Sequence, residues 1–350
     1  MKVKSAVLPR FKVFYQLLKE GQFLKAGHLL VAYGHMVARP TRVFSYPITI
    51  VIDPGNVCNL RCALCITGQR KSRRPVRLLS LSDFKKIINQ LGKWAVQLDL
   101  YNWGEPLLNK DIFMMIDYAK KAGLKVVMSS NLLLLTPEAA ERIVKSGLDT
   151  LIVSLHGATP KTTEIYMQGG DFRKAIENLK MLIVERRKLK SKTPQINWRY
   201  VVSRYNEQEL EMAEKLANDL EVDIFEPLPI RLDVGLDIQE IKKSIREHSQ
   251  WLPKNEKYRL YDVGTLSLKN HPRDCFWPWE IVSINADGTI QPCCVFSNPA
   301  YDFGNLLKTP FGKIWNGRKY QLARKVIRDK IKTDRTTVCG LCVCNNFLAK

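Results

Sequence analysis

The chain has 350 residues, 45% of them hydrophobic, and carries 55 Lys and Arg against 34 Asp and Glu, a net charge of +21. That length implies roughly two domains and a real core, and the apolar content a globular fold. No run of about 18 apolar residues reads as a transmembrane helix, and the N-terminus lacks the features of a signal peptide. A cytoplasmic protein in a thiol-reducing interior is therefore expected. The charge implies an anionic partner or surface: nucleic acid, an acidic leader peptide, a phosphorylated sugar, or a membrane on which the protein sits peripherally. No compact RNA-binding signature is visible.

Residues 1–45 are basic with interleaved apolar residues. Phe11, Phe14, Leu17 and Leu18 recur at helical spacing, as do Phe23, Ala26, Leu29 and Leu30. Two short amphipathic helices follow from this, either an arm that docks on membrane or substrate, or a cap on the end of a barrel. From 47 to 226 strands and helices alternate. The strands fall at 47–53, 95–101, 124–129, 150–154, 195–202 and 222–225. The helices fall at 82–91, 110–122, 136–146, 173–190 and 206–219. Ser80 or Ser82 caps the first of these helices and Thr136-Pro137 the third, and Gly123 and Gly147 stop two others. Such alternation implies a parallel sheet with right-handed crossovers. Residues 231–274 read as a proline-punctuated bridge with a charged helix over 237–249, and 275–350 as a cysteine-rich end section.

Nine cysteines in a reducing compartment favour metal over disulfides. Three lie in Cys58-Asn59-Leu60-Arg61-Cys62-Ala63-Leu64-Cys65, on the loop that leaves the first strand. Six follow position 274. Three thiolates leave one iron of a cubane without a protein ligand, the mark of a catalytic rather than a structural metal site. The competing readings are a zinc knuckle completed by a remote residue and chance clustering of buried thiols.

The Cys58-x3-Cys62-x2-Cys65 spacing resembles the cluster loop of the radical S-adenosylmethionine (radical SAM) superfamily. The resemblance implies an α/β fold with a partial (β/α)6 barrel over 46–230. It also implies a [4Fe–4S] cluster held by Cys58, Cys62 and Cys65, with SAM at its open iron and a 5′-deoxyadenosyl radical as product of reductive cleavage. Leu64 stands where the family usually has an aromatic, giving an apolar wall beside adenine without stacking. Tyr101-Asn102-Trp103-Gly104-Glu105-Pro106 resembles the family's glycine–glutamate motif, with Trp103 replacing the first glycine. Gly104, Glu105 and Pro106 are therefore expected at the SAM ammonium. Strand ends carrying Ser129, Asn131 and Ser154 offer hydroxyl and amide groups to ribose or carboxylate. His156, where the family usually has Asp, is a candidate acid or base. Tyr166-Met167-Gln168-Gly169-Gly170 resembles a further family pattern, with Met167 in place of Arg.

The end section resembles the SPASM/Twitch extension of radical SAM enzymes. Cys275, then Cys293-Cys294 after an Asp287-Gly288 hairpin, then Cys339-x2-Cys342 and Cys344, give metal-ligand spacing. Cys275, Cys293, Cys339 and Cys342 suffice to close one auxiliary [4Fe–4S] cluster, with the choice between 293 and 294, and between 342 and 344, open. A four-cysteine zinc site is the alternative. A closed cluster cannot bind substrate but can accept an electron from a substrate radical, which favours oxidation. Return of hydrogen from Cys294 or Cys344 would give epimerisation instead. The expected substrate is a carbohydrate, or a nucleotide- or lipid-linked sugar, with a flavodoxin or ferredoxin as reductant. A peptide or protein maturase is the alternative, and a non-catalytic, metal-binding nucleic-acid-binding protein the second.

Overall fold

The computed structural model describes residues 4–237, 239–269 and 275–344. Two helices, α1 (Lys4–Lys19) and α2 (Phe23–Ala38), precede a run of alternating elements. These are β1 (Thr49–Ile52), α3 (Leu81–Leu91), β2 (Gln97–Asp99), α4 (Ile112–Lys121), β3 (Lys125–Ser130) and α5 (Pro137–Lys145). They continue as β4 (Thr150–Ser154), α6 (Pro160–Tyr166), α7 (Phe172–Lys188), β5 (Gln195–Val202), α8 (Leu210–Asp219) and β6 (Ile224–Pro229). The six strands pair in sequence order, all parallel, which makes the partial (β/α)6 barrel.

Local chemistry sets the helix ends. Ser80 Oγ accepts from the Asp83 amide at 3.1 Å and Thr136 Oγ1 from Ala139 at 3.2 Å, and Pro137 fills the first turn of α5. Gly123 and Gly147 take φ of +69° and +70° where α4 and α5 end. The same signal, Thr159 capping before Pro160, starts α6, which the sequence reading passes over.

The second half comprises α9 (Ile241–Glu247) and a short hairpin, β7 (Tyr261–Asp262) with β8 (Ser267–Leu268). Then come α10 (Trp277–Glu280), β9 (Ile281–Ile284), β10 (Thr289–Gln291), β11 (Gly304–Asn305), α11 (Phe311–Trp315), α12 (Arg318–Asp329) and α13 (Val338–Cys344). β9 and β10 form the hairpin expected around Asp287-Gly288. Its placement is new: β9 runs parallel to β1 along the latter's open edge, with Thr49 opposite Ile281. The barrel sheet thereby grows to nine strands.

Strand faces divide cleanly. Leu98, Val126, Met128, Ile196, Trp198 and Tyr200 are fully buried against the helices. Their alternates Gln97, Asp99, Ser129, Asn197 and Arg199 stay partly accessible on the concave side.

The α1–α2 pair caps the end of the barrel where the strands begin. Leu17, Ala26, Leu29 and Ala32 pack on Ile48 and Val96. Lys25 Nζ donates to the Ala122 and Gly123 carbonyls at 2.8 and 2.7 Å. The amphipathic sense differs from the sequence reading, because Phe11, Leu18, Phe23 and Leu30 point outward.

Candidate active site

The loop after β1 carries Cys58, Cys62 and Cys65, all partly accessible. Its path is fixed from outside. Arg61 N–H donates to the Gln168 carbonyl at 3.0 Å and Ala63 N–H to the Tyr166 carbonyl at 2.8 Å. Gln69 Nε2 spans the Arg61 and Cys62 carbonyls at 2.9 and 3.0 Å. The Tyr166–Gly170 stretch thus serves as backbone support for the cysteine loop. The three thiols lie within electrostatic reach of one another: Cys58 is pushed up to about 11, by burial first and then by Glu105 and Cys65. Cys62 is pushed higher, by burial and then by Cys65 and Cys58. Leu64 packs against the core.

The loop after β2 meets this one backbone to backbone. A Cβ on Gly104 would lie 1.9 Å from the Gly55 carbonyl oxygen and 2.6 Å from that of Val57. Glycine is therefore required there by the neighbouring loop. Glu105 N–H donates to the Val57 carbonyl at 2.9 Å, and Pro106 opens a short 3-10 turn. The Glu105 carboxylate is buried and braces the next strand end. Oε1 accepts from Ser130 Oγ at 2.8 Å and Leu107 N–H at 3.1 Å, and Oε2 from Asn131 N–H at 2.9 Å. Burial raises its pKa against the pull of those donors. Asn131 Nδ2 reaches Asn59 Oδ1 in the cysteine loop at 2.9 Å, and Ser129 and Ser154 share a hydrogen bond at 2.9 Å. All six strand-end groups expected at SAM therefore stand on one end of the barrel, beside the thiols.

His156 sits there too. Its Nδ1 accepts from Val201 N–H at 3.2 Å, and its ring meets Tyr166 edge-on at 5.5 Å. Burial, then Arg199, depresses it to about 4, so the ring is neutral near pH 7 and ties β4 to β5.

Buried polar atoms without a partner among the described residues include Asp53 Oδ2, Thr67 Oγ1, Asn102 Nδ2, Trp103 Nε1 and Thr163 Oγ1, all at this end. Groups left so are costly unless a ligand takes them. The three thiols and these atoms fit a metal cluster with a polar cofactor beside it. A cavity of about 790 Å³ opens on the other side of the cysteine loop, bordered by Asn59, Arg61, Lys161 and Glu164; no concave-face residue lines it.

That concave face carries residues to which the sequence reading assigns no role. Arg199 Nε donates to Glu226 Oε2 at 3.0 Å, where Asn197 Nδ2 also bonds at 3.1 Å. Tyr101 lies within electrostatic reach of Arg199. Gln97 Nε2 holds Asp99 Oδ1 at 2.7 Å, and burial raises the Asp99 carboxyl. Polar residues alternating along parallel strands were the available signal, since such strands usually read apolar throughout.

The end section forms a second group. Cys275, Cys293, Cys339 and Cys342 are buried. Cys339 is pushed well above its ordinary range by burial and then by Cys293, Cys275 and Cys342. Cys293 rises to about 12 for like reasons, with Cys275 contributing. Cys294 is raised to about 12 by burial and then by Cys293 and Asp99. The side chain of Cys344 lies outside the described residues. Tyr320 of α12 lies within electrostatic reach of Cys339 and Cys293, and Arg324 of Cys339, and Tyr320 Oη and Arg324 Nη2 are buried with no partner among the described residues. Four thiols with two unpaired donors fit an anionic cluster. Tyr320→Phe is expected to shift the auxiliary centre's midpoint potential downward by about 50 mV, the equivalent of one hydrogen bond of roughly 1 kcal/mol, in an anaerobic redox titration.

A parallel partial barrel with one thiol trio at its strand ends and a second, enclosed cysteine group defines an iron–sulfur enzyme that uses SAM. Residues 52–218 match the radical SAM superfamily and residues 275–344 the iron–sulfur cluster-binding SPASM domain. The chain belongs to the radical SAM superfamily and carries a SPASM domain. Its cofactors are accordingly a [4Fe–4S] cluster, SAM and auxiliary iron–sulfur. It is 32% identical over 165 residues to the AdoMet-dependent heme synthase of Methanosarcina barkeri, covering 47% of this chain and 45% of that protein. That match spans less than half of the relative. With the Fe-coproporphyrin III synthase of the same organism it shares 25% identity over 331 residues, 83% of this chain and 80% of the relative. Streptococcus suis SuiB bound to its precursor peptide SuiA superposes with a TM-score of 0.61 at 14% identity, over 85% of this chain and 70% of that one, a likeness of fold.

Proposed function

We propose that this protein abstracts a hydrogen atom from an unactivated C–H bond of a polyhydroxylated small molecule, a carbohydrate or its nucleotide- or lipid-linked form. The outcome is oxidation or epimerisation, in a reducing cytoplasm with a flavodoxin or ferredoxin as electron source. The observation that carries this reading is the concave face. Asp99, Glu226, Asn197, Tyr101 and Arg199 present acceptors and donors in a partly accessible cluster at the cysteine end. Two carboxylates against one guanidinium suit hydroxyl groups better than an apolar or polyanionic body.

Cys58, Cys62 and Cys65 would hold the first cluster, and Cys275, Cys293, Cys339 and Cys342 one auxiliary cluster. The chemistry supplied when these groups and SAM are bound is reductive cleavage to a 5′-deoxyadenosyl radical, with a one-electron acceptor near by. Glu105 holds the β3 end against the cysteine loop, so that Ser129, Asn131 and Ser154 keep fixed positions toward SAM. Arg199 and Glu226 orient substrate hydroxyls. Asp99, its carboxyl raised by burial, is placed to take the hydroxyl proton in an oxidation. Cys294, within electrostatic reach of Asp99, would return a hydrogen atom in an epimerisation, the resulting thiyl being reduced by the same flavodoxin or ferredoxin and reprotonated from solvent. His156 acts by position, as a neutral acceptor for β5.

The test is 5′-deoxyadenosine formation by reduced, reconstituted protein with free, nucleotide-linked and lipid-linked sugars. Sugar-dependent formation supports the reading. Arg199→Met should lower the sugar-dependent rate at least tenfold, the loss of one charged hydrogen bond, and leave substrate-free SAM cleavage unchanged. A response to peptides alone would replace this reading with a maturase, which the likeness to SuiB supports.

A further inference from the structure

Helix α2 has its amphipathicity reversed. Its inward side carries Lys25 and His28 together with Ala26, Leu29, Ala32 and Met36. Lys25 donates to two carbonyls there, and His28 Nε2 accepts from the Tyr46 amide at 2.9 Å. Its outward side has no charged residue. Phe23, Leu24, Gly27, Leu30, Val31, Gly34, Val37 and Ala38 recur at three- and four-residue spacing, all exposed. Phe23 and Val37 are each 68% accessible. Phe11, Tyr15 and Leu18 of α1 and Phe44, 88% accessible, add to it. Nine of the seventeen exposed large apolar side chains among the described residues fall between positions 11 and 44. A patch of this extent on a soluble surface marks an interaction site.

The flanks say what covers it. Positions 4–44 hold seven Lys and Arg and one acid, Glu20. Glu20 is taken up by Gln16 and Gln22 at 2.7 and 2.8 Å, whereas Lys12 and Lys19 are exposed beside the apolar stripe. Lys19 lies over the Tyr15 ring, an arrangement that buries the stem and leaves the ammonium at the edge. An apolar stripe with aromatic and lysine borders matches a lipid interface. A second copy of a chain with a net charge of +21 would meet repulsion instead. No helix among the described residues is long and apolar enough to cross a membrane, so α2 would lie in the interface plane.

We infer that the outer face of α1–α2 docks this protein on an anionic lipid bilayer. The pair covers the end of the barrel where strands begin, next to Ile48, Val96 and Trp94, while the cysteine loop leaves the other end. A docked molecule therefore turns its cysteine loop and concave face toward the aqueous side, open to a reductant and to a water-borne substrate. Among the sugars proposed above, this orientation favours free and nucleotide-linked forms.

Flotation of anaerobically reconstituted, full-length protein tests it. Phosphatidylcholine vesicles with phosphatidylglycerol should carry the protein up the gradient, and phosphatidylcholine alone should carry much less. The Leu30→Gln, Val37→Gln double variant should lose at least roughly tenfold in partitioning. Lys12→Gln and Lys19→Gln should each lose about fivefold on the anionic vesicles. Val184→Gln, on the exposed side of α7, is the control and should bind as wild type. Circular dichroism and 5′-deoxyadenosine formation, unchanged in all variants, exclude unfolding. Wild-type protein that ignores anionic vesicles, or a folded double variant that binds as well as wild type, overturns the inference. So does a wild-type dimer that the double variant dissociates and that shows no vesicle binding.

Discussion

Cys62→Ala protein should form no detectable 5′-deoxyadenosine from SAM under reducing, anaerobic conditions, whereas Cys342→Ala should retain a measurable part of that reaction and lose turnover of the true substrate. The contrast follows from the separation of the two thiol groups. Cys62 is one of three thiols on a loop that no fourth cysteine among the described residues completes, so with the ligand set proposed above its loss would leave two ligands for a cluster with an open iron. Cys342 belongs to the enclosed group with Cys275, Cys293 and Cys339, in the section that follows the barrel. Removing it leaves the cysteine loop's own supports intact, namely the Gln168 and Tyr166 carbonyls and Gln69. Chromatographic assay of 5′-deoxyadenosine, with iron and sulfide content and visible absorbance, checks both variants. Equal loss in the two, or zinc in place of iron, would show that the two groups do not have separate duties.

What the sequence made legible was local. β4 and β5 stand where their apolar runs put them, because Asp149 and the Thr193-Pro194 pair bound those runs and the interiors are β-branched or aromatic. The three-cysteine loop was legible by spacing alone. What escaped depends on pairing at a distance or on sidedness. Nothing near Ile281–Ile284 announces that this strand will run beside Thr49–Ile52, since an edge partner is chosen by the whole sheet. Cys293 lies within electrostatic reach of Cys275 and Cys339, and Cys294 of Asp99, a difference that their order in the chain does not announce. In α2 helical spacing was legible, but the face that is buried was not: two carbonyls at the end of α4 and the Tyr46 amide draw Lys25 and His28 inward. Glu105 was singled out for charge at a strand end, and the three donors that hold it became visible only with β3 in place.

Replacing Arg74 with methionine should destabilise the protein by about 3–5 kcal/mol and lower its melting temperature by roughly 5 to 10 °C. Arg74 lies in the segment between the cysteine loop and α3, yet its guanidinium is buried in the SPASM part of the sheet. Nε donates to the Ser297 carbonyl at 2.7 Å and Nη1 to Thr289 Oγ1 at 3.0 Å. Both Nη atoms bond the Asp302 carboxylate, one at 3.1 Å, and Asp287 stands 3.7 Å away. Burial by itself raises the Asp302 carboxyl, and the guanidinium pulls it back. Methionine keeps much of the volume and leaves the half-buried Asp302 with Gln291 Nε2, at 3.1 Å, in place of the guanidinium. The double variant Arg74→Met, Asp302→Leu should recover part of the loss, because removing both partners of a buried ion pair costs far less than removing one. Thermal unfolding of the reconstituted protein under anaerobic conditions gives both numbers. A single variant within about 1 °C of wild type would mean that the pair adds nothing to what β9 and β1 already provide. The expected cost matters beyond stability: this side chain ties the stretch that follows Cys65, and the β1–β9 pairing the strand that precedes Cys58, to the sheet that leads to Cys293, so loosening one should widen the distribution of distances between the two thiol groups before either group is lost.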